Sequence, residues 1–166
     1  MLSPLALAGA NVFADLPKVR SLDEALRWLD TLAKTPAFSA TGQLPLVAVL
    51  EHLAQSVEMS MDGFPEPKSA FFQSTAGAMA FAVFAWRGKM THSLNEPIPG
   101  APALSKLGVW QPATERLRAA ITRFNGSKPD TLRPHFAYGQ LSKTDFAMAH
   151  AFHIANHQHA IVIPAA

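Results

Sequence analysis

Four histidines lie close together near the carboxyl end of the sequence. Positions 144–166 contain one acidic residue, no lysine or arginine, and His150, His153, His157 and His159. At about 100° of rotation per residue on a helix, the first three lie within about 60° of one another, whereas His159 points to the opposite side. Three imidazoles therefore share one face of a predicted helix.

The pair His153 and His157 has a spacing that suits metal binding. Residues at i and i+4 lie one above the other on a helix, so both imidazoles can reach one ion at about 2.0–2.1 Å. The spacing alone is weak evidence, because most such pairs are surface or core residues. The apolar sequence around them strengthens it, since clustered imidazoles in a poorly hydrated core need polar partners or a metal ion.

A third candidate ligand, His52, lies on another predicted helix among leucines and valines at positions 46, 49, 50 and 53. Taken alone, it is more simply interpreted as a neutral core histidine that donates to a backbone carbonyl. Taken with the pair at 153 and 157, it makes a three-histidine site plausible, because helical bundles build metal sites from side chains on facing helices.

Other kinds of chemistry are excluded by what the sequence lacks. The chain has no cysteine, which rules out disulfides, cysteine-ligated zinc, iron–sulfur clusters and a protein thiol nucleophile. Its glycines are too far apart for a dinucleotide-binding or phosphate-binding loop, and it has no GxSxG motif. The net charge is +2 and the basic residues are scattered, so we expect no nucleic-acid partner.

Capping patterns, apolar periodicity and turn residues predict five helices joined by two long loops. The helices are expected at 21–35, 44–61, 69–86, 112–124 and 142–161, and the loops at 88–111 and 127–141. The third helix has no charged residue, but its continuous apolar run, 78–86, is too short to span a bilayer. We expect it to be a buried central helix.

The predicted fold class is all-α, an antiparallel four-helix bundle with an accessory helix and long connecting loops. Residues 160–163 could form a short strand, for which the sequence offers no partner. Residues 21–162 are expected to form a single domain. Residues 1–20 are predicted to be a tail, either loosely ordered or the remnant of an export signal. Residues 1–10 are apolar and end in small residues, as in the later part of such a signal, but they lack its basic region. A cytoplasmic location is expected, and a periplasmic one if an upstream signal is missing.

Five segments, in their order along the chain, resemble the DinB-like (YfiT-like) superfamily, and within it a branch known as a domain of unknown function. They are 50–63 (LEHLAQSVEMSMDG), 63–68 (GFPEPK), 97–102 (PIPGAP), 135–142 (HFAYGQLS) and 153–157 (HIANH). The resemblance covers about residues 20–160. It implies a four-helix bundle in which His52, His153 and His157 bind a divalent metal, nickel or zinc. It gives His150 no ligand role.

Two positions depart from the superfamily pattern. Its members often carry an acidic residue or histidine just before the last ligand and a histidine just after it, where this sequence has Asn156 and Gln158. Some members are thiol-dependent transferases or isomerases. Because this chain has no cysteine, such a thiol would have to be a small molecule.

Two functions follow as expectations. The first is a metal-binding bundle protein, a metal-dependent (thiol-dependent) transferase or hydrolase of unknown substrate. The second is a non-catalytic binding or stress-related protein with a packed histidine cluster. With either function, the sequence is compatible with a homodimer. We expect the 88–111 loop, with His135 and Tyr138, to form the rim of the metal cavity, and His92 and His159 to be bystanders.

Overall fold

A computed structural model describes residues 18–34 and 39–162, and within them the protein is helical apart from one short strand pair. The helices are α1 (Leu22–Lys34), α2 (Leu46–Asp62), α3 (Ala70–Phe72), α4 (Ala78–Arg87), α5 (Gln111–Gly126) and α6 (Lys143–Gln158). A π-helical turn, Gln73–Gly77, joins α3 to α4. The predicted all-α class is confirmed.

The predicted tail, except for residues 18–20, and its interpretation as an export-signal remnant lie outside the described residues. None of the helices in the described part of the chain has both the length and the apolar character needed to cross a membrane.

Four helices, α1, α2, α5 and α6, pack on one another and enclose the main hydrophobic core. The most extensive contact joins α2 to α5, while α1 packs on α5 and α6, and α2 also packs on α6. Fully buried side chains from these helices include Leu29, Leu32, Leu50, Leu53, Leu117, Ile121, Phe124, Phe146 and Ile154. This packing brings the histidine of α2 to the histidines of α6.

The start of α6 is fixed by a predicted cap. Ser142 accepts a hydrogen bond from the backbone N–H of Asp145, and its hydroxyl donates to the Asp145 carboxylate. A side-chain oxygen at this position satisfies one of the unpaired N–H groups of the first turn. The cap sets where α6 begins and therefore which of its residues face α2.

The expectation of a buried central helix at 69–86 is wrong. Within 70–87 only Gly77 and Phe81 are buried, whereas Phe71, Met79 and Trp86 are 77%, 70% and 86% exposed. The four longer helices already close the core, so this uncharged segment packs outside it by one narrow face. The lack of charge was a poor guide to burial because it does not say which neighbours a helix has.

The sequence contains no convincing strand and offers no partner for one at 160–163, but the structure has a short strand there and a partner for it. Ile161–Val162 pairs antiparallel with Ser39–Ala40, and Thr41 N–H donates to the Ala160 carbonyl at 2.8 Å. The partner lies in the segment between α1 and α2, which the sequence marks only as a helix break. The pairing ties the end of α6 to the segment before α2.

Candidate metal centre

Three histidines from two helices converge inside the protein. His52 comes from α2, and His153 and His157 come from successive turns of α6. One ligand atom from each lies within 4.8 Å of the others. The ring centroids form a nearly equilateral triangle, with sides of 4.9 Å between His52 and His153, 5.0 Å between His52 and His157, and 4.9 Å between His153 and His157. The predicted triad is therefore brought together.

The three imidazoles differ in their access to solvent. His52 and His157 are buried, with exposed fractions of 3% and 0%, because both lie on helix faces that pack into the core. His153 is only partly buried and, with His52, lines a cavity. An ion held by the three rings would have protein behind it and the cavity in front.

Hydrogen bonds leave several of these nitrogen atoms free for a metal. His52 Nε2 and His153 Nε2 are 3.1 Å apart, and Ser56 Oγ lies 3.0 Å from His153 Nδ1. Among the described residues, His52 Nδ1 and both ring nitrogens of His157 are buried without a hydrogen-bond partner. Buried polar atoms without partners are costly, and a metal ion would remove part of that cost.

The spacing of the nitrogens fits a divalent metal. Two ligands that bind one ion tetrahedrally at 2.0–2.1 Å lie about 3.3 Å from each other, close to the observed separation of the His52 and His153 Nε2 atoms. A His153 Nδ1–H bond to Ser56 would leave Nε2 with its lone pair, the arrangement usual for a metal-bound histidine.

Burial keeps the three imidazoles neutral. Desolvation lowers the pKa of His52 to about 4 and the pKa of His157 to about 3, and it also holds the pKa of His153 well below its usual value. Neighbouring imidazoles lower these pKa values further. A neutral imidazole is the form that binds metal, so the ligands need no deprotonation at neutral pH.

The family model described as "Protein of unknown function (DUF1569)" matches residues 15–163. The chain belongs to the DUF1569 family. Comparisons with curated proteins and with solved structures find no match. The matched range includes all three candidate ligands and both long loops, and it confirms the expectation of a family of unknown function.

Two other histidines of this DUF1569 protein, His150 in α6 and His159 directly after it, lie apart from the triad. The His150 ring packs edge-on against Phe124 and stacks on Phe146, and its buried Nε2 has no hydrogen-bond partner among the described residues. His159 is exposed and hydrogen bonds to Lys18. His159 is thus a bystander, as expected, and His150 lies outside the group of three.

His92, which is expected to be a bystander, lies beside the triad but outside the group of three ligand atoms. Its ring centroid lies 4.9 Å from that of His153 and 5.5 Å from that of His157. The sequence did not indicate this proximity, because His92 lies in a loop, where no periodic pattern shows which residues are neighbours. The signal that could have found it is the combination of a metal-binding residue type with a loop already expected to cover the site.

A cavity of about 250 Å³ opens beside the triad. Its walls come from α2, α6, Lys68 in the turn before α3, and the two segments that the sequence predicted as its rim. The residues that the 88–110 loop contributes are Met90, His92, Glu96, Pro97, Ile98 and Pro99. The second predicted segment contributes His135, Phe136 and Tyr138. Both segments predicted as the rim therefore line the cavity beside the triad.

Polar side chains of α2 and α6 hold the long loop over the cavity. The Glu51 carboxylate accepts two hydrogen bonds from Ser105, one from its N–H and one from its hydroxyl, both at 2.7 Å. Gln55 Nε2 donates to the Pro102 carbonyl at 3.0 Å. Asn156 Nδ2 donates to the His92 carbonyl at 3.3 Å. The sequence did not predict these hydrogen bonds, because no local pattern shows that a helix side chain bonds to a distant loop.

His135 offers the cavity a neutral hydrogen-bond donor. Its Nδ1 accepts from the N–H groups of Ala137 and Tyr138, at 3.1 and 3.2 Å, so its proton resides on Nε2. Its ring stacks on Tyr138 with 4.2 Å between centroids. Burial lowers the pKa of His135 to about 3 and raises the pKa of Tyr138 to about 12. Both groups are therefore uncharged over the physiological pH range.

Proposed function

We propose that this DUF1569 protein binds one divalent metal ion, nickel or zinc, through His52, His153 and His157. The observation that carries the proposal is the convergence of three buried or partly buried imidazoles whose ligand atoms lie within 4.8 Å of one another. We further propose that α1, α2, α5 and α6 form an antiparallel four-helix bundle of the DinB-like kind, with the 70–87 segment as its accessory helix.

The site has features of a catalytic rather than a structural metal centre. Three protein ligands leave at least one coordination position open, as in catalytic zinc sites. The cavity lies on the side of His52 and His153, where a small molecule could reach an ion. When bound, the metal would lower the pKa of a bound thiol or water and so supply a nucleophile at neutral pH.

Charge favours an anionic ligand in the open position. Three neutral imidazoles supply no negative charge to a divalent ion, and the Glu96 carboxylate in the cavity lining is offset by the ammonium group of Lys68 in the same lining. An uncompensated charge in a poorly hydrated site is costly. A thiolate from a small-molecule thiol, or another small anion, would reduce that cost. His135 would add a neutral N–H donor to a substrate in the same cavity. The resulting proposal is a metal-dependent transferase or hydrolase.

A non-catalytic protein with a packed histidine cluster is the second candidate. It is favoured by the contact between His52 Nε2 and His153 Nε2 and by the bond from His153 to Ser56, because both can form without metal. In that case the histidines stabilise the core and the cavity recruits a ligand or partner without chemistry.

Metal content of the purified, untagged full-length chain separates the two candidates. Protein refolded with zinc or nickel and then dialysed should retain about one ion per chain and should melt at a higher temperature than the metal-free form, since the ion binds the folded state. His52→Ala, His153→Ala and His157→Ala should each lose both effects. The exposed His159→Ala variant is the control and should keep them. Wild-type protein that retains neither metal would contradict the metal proposal and favour the packed histidine cluster.

A further inference from the structure

The His92 ring lies about as close to the His153 ring as the three rings of the triad lie to one another. Its ring centroid is 4.9 Å from that of His153, the same as the separation of His153 from each of its two partners. The separation from His157 is longer, 5.5 Å. The compact group of three ligand atoms does not include His92, so a small movement of its loop is needed for it to join them.

The hydrogen bonding of His92 leaves one nitrogen free for a metal. Its Nδ1 lies 2.7 Å from the Ser93 carbonyl oxygen. A carbonyl only accepts, so Nδ1 carries the proton and Nε2 keeps its lone pair. A bond from the second ring nitrogen to a backbone carbonyl is the usual way in which proteins orient a metal-bound histidine.

His92 differs from the other three histidines because it lies in a loop. His52, His153 and His157 lie on long packed helices, whereas His92 belongs to a segment without regular structure between α4 and α5. Asn156 holds the His92 carbonyl at 3.3 Å and thereby couples this loop to the helix that carries two of the ligands. His92 also lines the cavity where a substrate would bind.

We propose, building on the metal site proposed above, that His92 is an exchangeable fourth ligand. It occupies the open coordination position when the cavity is empty, and an incoming anionic ligand displaces it. The loop then moves with the ligand state of the metal, so that substrate binding and loop position are coupled. His92 acts here as a metal ligand and needs no change of protonation to leave.

Metal titrations of the full-length chain with Zn²⁺ and Co²⁺ test this role. Replacing one of four ligands should weaken Zn²⁺ binding by about tenfold or more in His92→Ala. The visible absorption of bound Co²⁺ depends on its ligand set and geometry, so the spectrum should also change. Free imidazole added to the His92→Ala protein should restore the wild-type spectrum. His159→Ala is the matched control, and His92→Asn serves if the alanine variant does not fold.

The outcomes separate this inference from the metal site on which it rests. If wild-type protein binds neither ion, the metal proposal itself fails and this inference fails with it. If wild-type protein binds both ions and the His92 variants match it in affinity and Co²⁺ spectrum, the triad stands and the fourth ligand is disproved. A spectrum that changes in the variant and returns with imidazole supports the fourth ligand.

A different feature, the apolar face of the 70–87 segment, carries a second inference. Phe71, Phe72, Met79, Val83 and Trp86 are all exposed. Met79, Val83 and Trp86 follow one another at spacings of four and three residues, Phe72 lies seven residues before Met79, and residues 69–86 include no charged side chain. With each large side chain offering about 150–250 Å² when fully exposed, this face exposes roughly 600 Å² of apolar surface, the upper end for a monomer.

The size and charge of this face fit a second copy of the chain. Two such faces packed together would bury roughly 1,200 Å² in total, which reaches the range of specific protein interfaces. A surface without charge cannot attract a charged partner by charge complementarity. It can pack against an identical surface, because no like charges then repel each other. Exposed Ala78 and Ala82 on the same segment would let two helices approach closely.

We infer that the protein is a homodimer in which the 70–87 segments of two copies pack against each other. The contact is isologous, each copy offering the same residues to the other. It leaves the cavity accessible in each copy, because none of the residues of this face lines it.

Light scattering during size-exclusion chromatography of the full-length chain tests the dimer. Wild-type protein should have the mass of a dimer at micromolar concentration, and Met79→Glu and Trp86→Glu should be monomers. Leu107→Glu, at an exposed apolar position in the loop before α5 that is 90% exposed, is the control and should stay dimeric. A monomeric wild type contradicts the inference, and it is the result expected if residues 1–17 covered this face instead of a second copy. So does a dimer that persists in both variants.

Discussion

At the scale of single residues, Ser56 is the side chain that orients a candidate ligand. Its Oγ lies 3.0 Å from His153 Nδ1, and by accepting a hydrogen bond from Nδ1–H it would leave Nε2 free for metal. Ser56→Ala should leave the ligand set intact but weaken Zn²⁺ binding by about 10–100-fold, the usual cost of losing such a partner. Isothermal titration calorimetry would measure the change.

Ser60 supplies the matched control for that variant. It lies one turn further along α2, is also buried, and its hydroxyl donates to the carbonyl of Val57 in the same helix at 2.6 Å. Ser60→Ala therefore removes a similar hydroxyl without touching the triad. Equal affinities in the Ser56 and Ser60 variants would show that Ser56 does not orient His153.

The triad could be predicted from the sequence, and its surroundings could not. His153 and His157 share a helix face by local spacing, and His52 was added by its helical context and by the family resemblance. His92 and Ser56 gave no such signal. Their contacts join residues more than 60 positions apart, and only the packing of α2, α6 and the loop determines them.

At the scale of secondary structure elements, Gly77 is the residue that lets the accessory segment dock. It lies in the π-helical turn, and a Cβ at this position would clash with the carbonyl oxygen of Ala137. The contact is with backbone, so the clash cannot be relieved by moving a side chain. Gly77→Ala should cost about 2 kcal/mol or more and lower Tm by about 5 °C or more, measured by calorimetry.

Gly126 is the control for the loss of a helical glycine. It ends α5, and a Cβ there would meet nothing within 4 Å. Gly126→Ala should be neutral or stabilise the protein by up to about 1 kcal/mol, because alanine is the better helix former. If both variants melt at the wild-type temperature, the close approach at Gly77 does not determine how the segment docks.

The elements themselves were predicted unevenly, for physical reasons. Caps and amphipathic periodicity located the four core helices to within about three residues, because these signals are local. The sequence correctly predicted helix in the segment at 70–87 but wrongly predicted that this helix is buried, because an uncharged sequence suits either a buried helix or an exposed one. The strand pair was missed because β-pairing joins distant segments, here Ser39–Ala40 and Ile161–Val162.

At the scale of the whole molecule, the buried histidines couple folding to pH. Desolvation lowers the pKa of His135 and the pKa of His150 to about 3, while an unfolded chain has histidine pKa values near 6.5. Between these values the unfolded chain binds protons that the folded protein does not. Each such histidine thus contributes its full stability above about pH 6.5, and that contribution is lost as the pH falls towards 3.

His150→Phe tests this coupling in metal-free protein. The His150 ring already packs between Phe124 and Phe146, and its Nε2 has no partner among the described residues, so phenylalanine should be accommodated. Moving from pH 7.5 to pH 5 should cost wild-type protein about 2 kcal/mol per buried histidine, and the variant should lose about 2 kcal/mol less. Urea unfolding in the presence of a chelator, repeated at several pH values, would measure both. Leu107→Ala, at an exposed position, removes no titratable group and should keep the wild-type pH dependence. If His150→Phe keeps it too, the His150 ring is charged in the folded protein or neutral in the unfolded one, and its burial does not couple folding to pH.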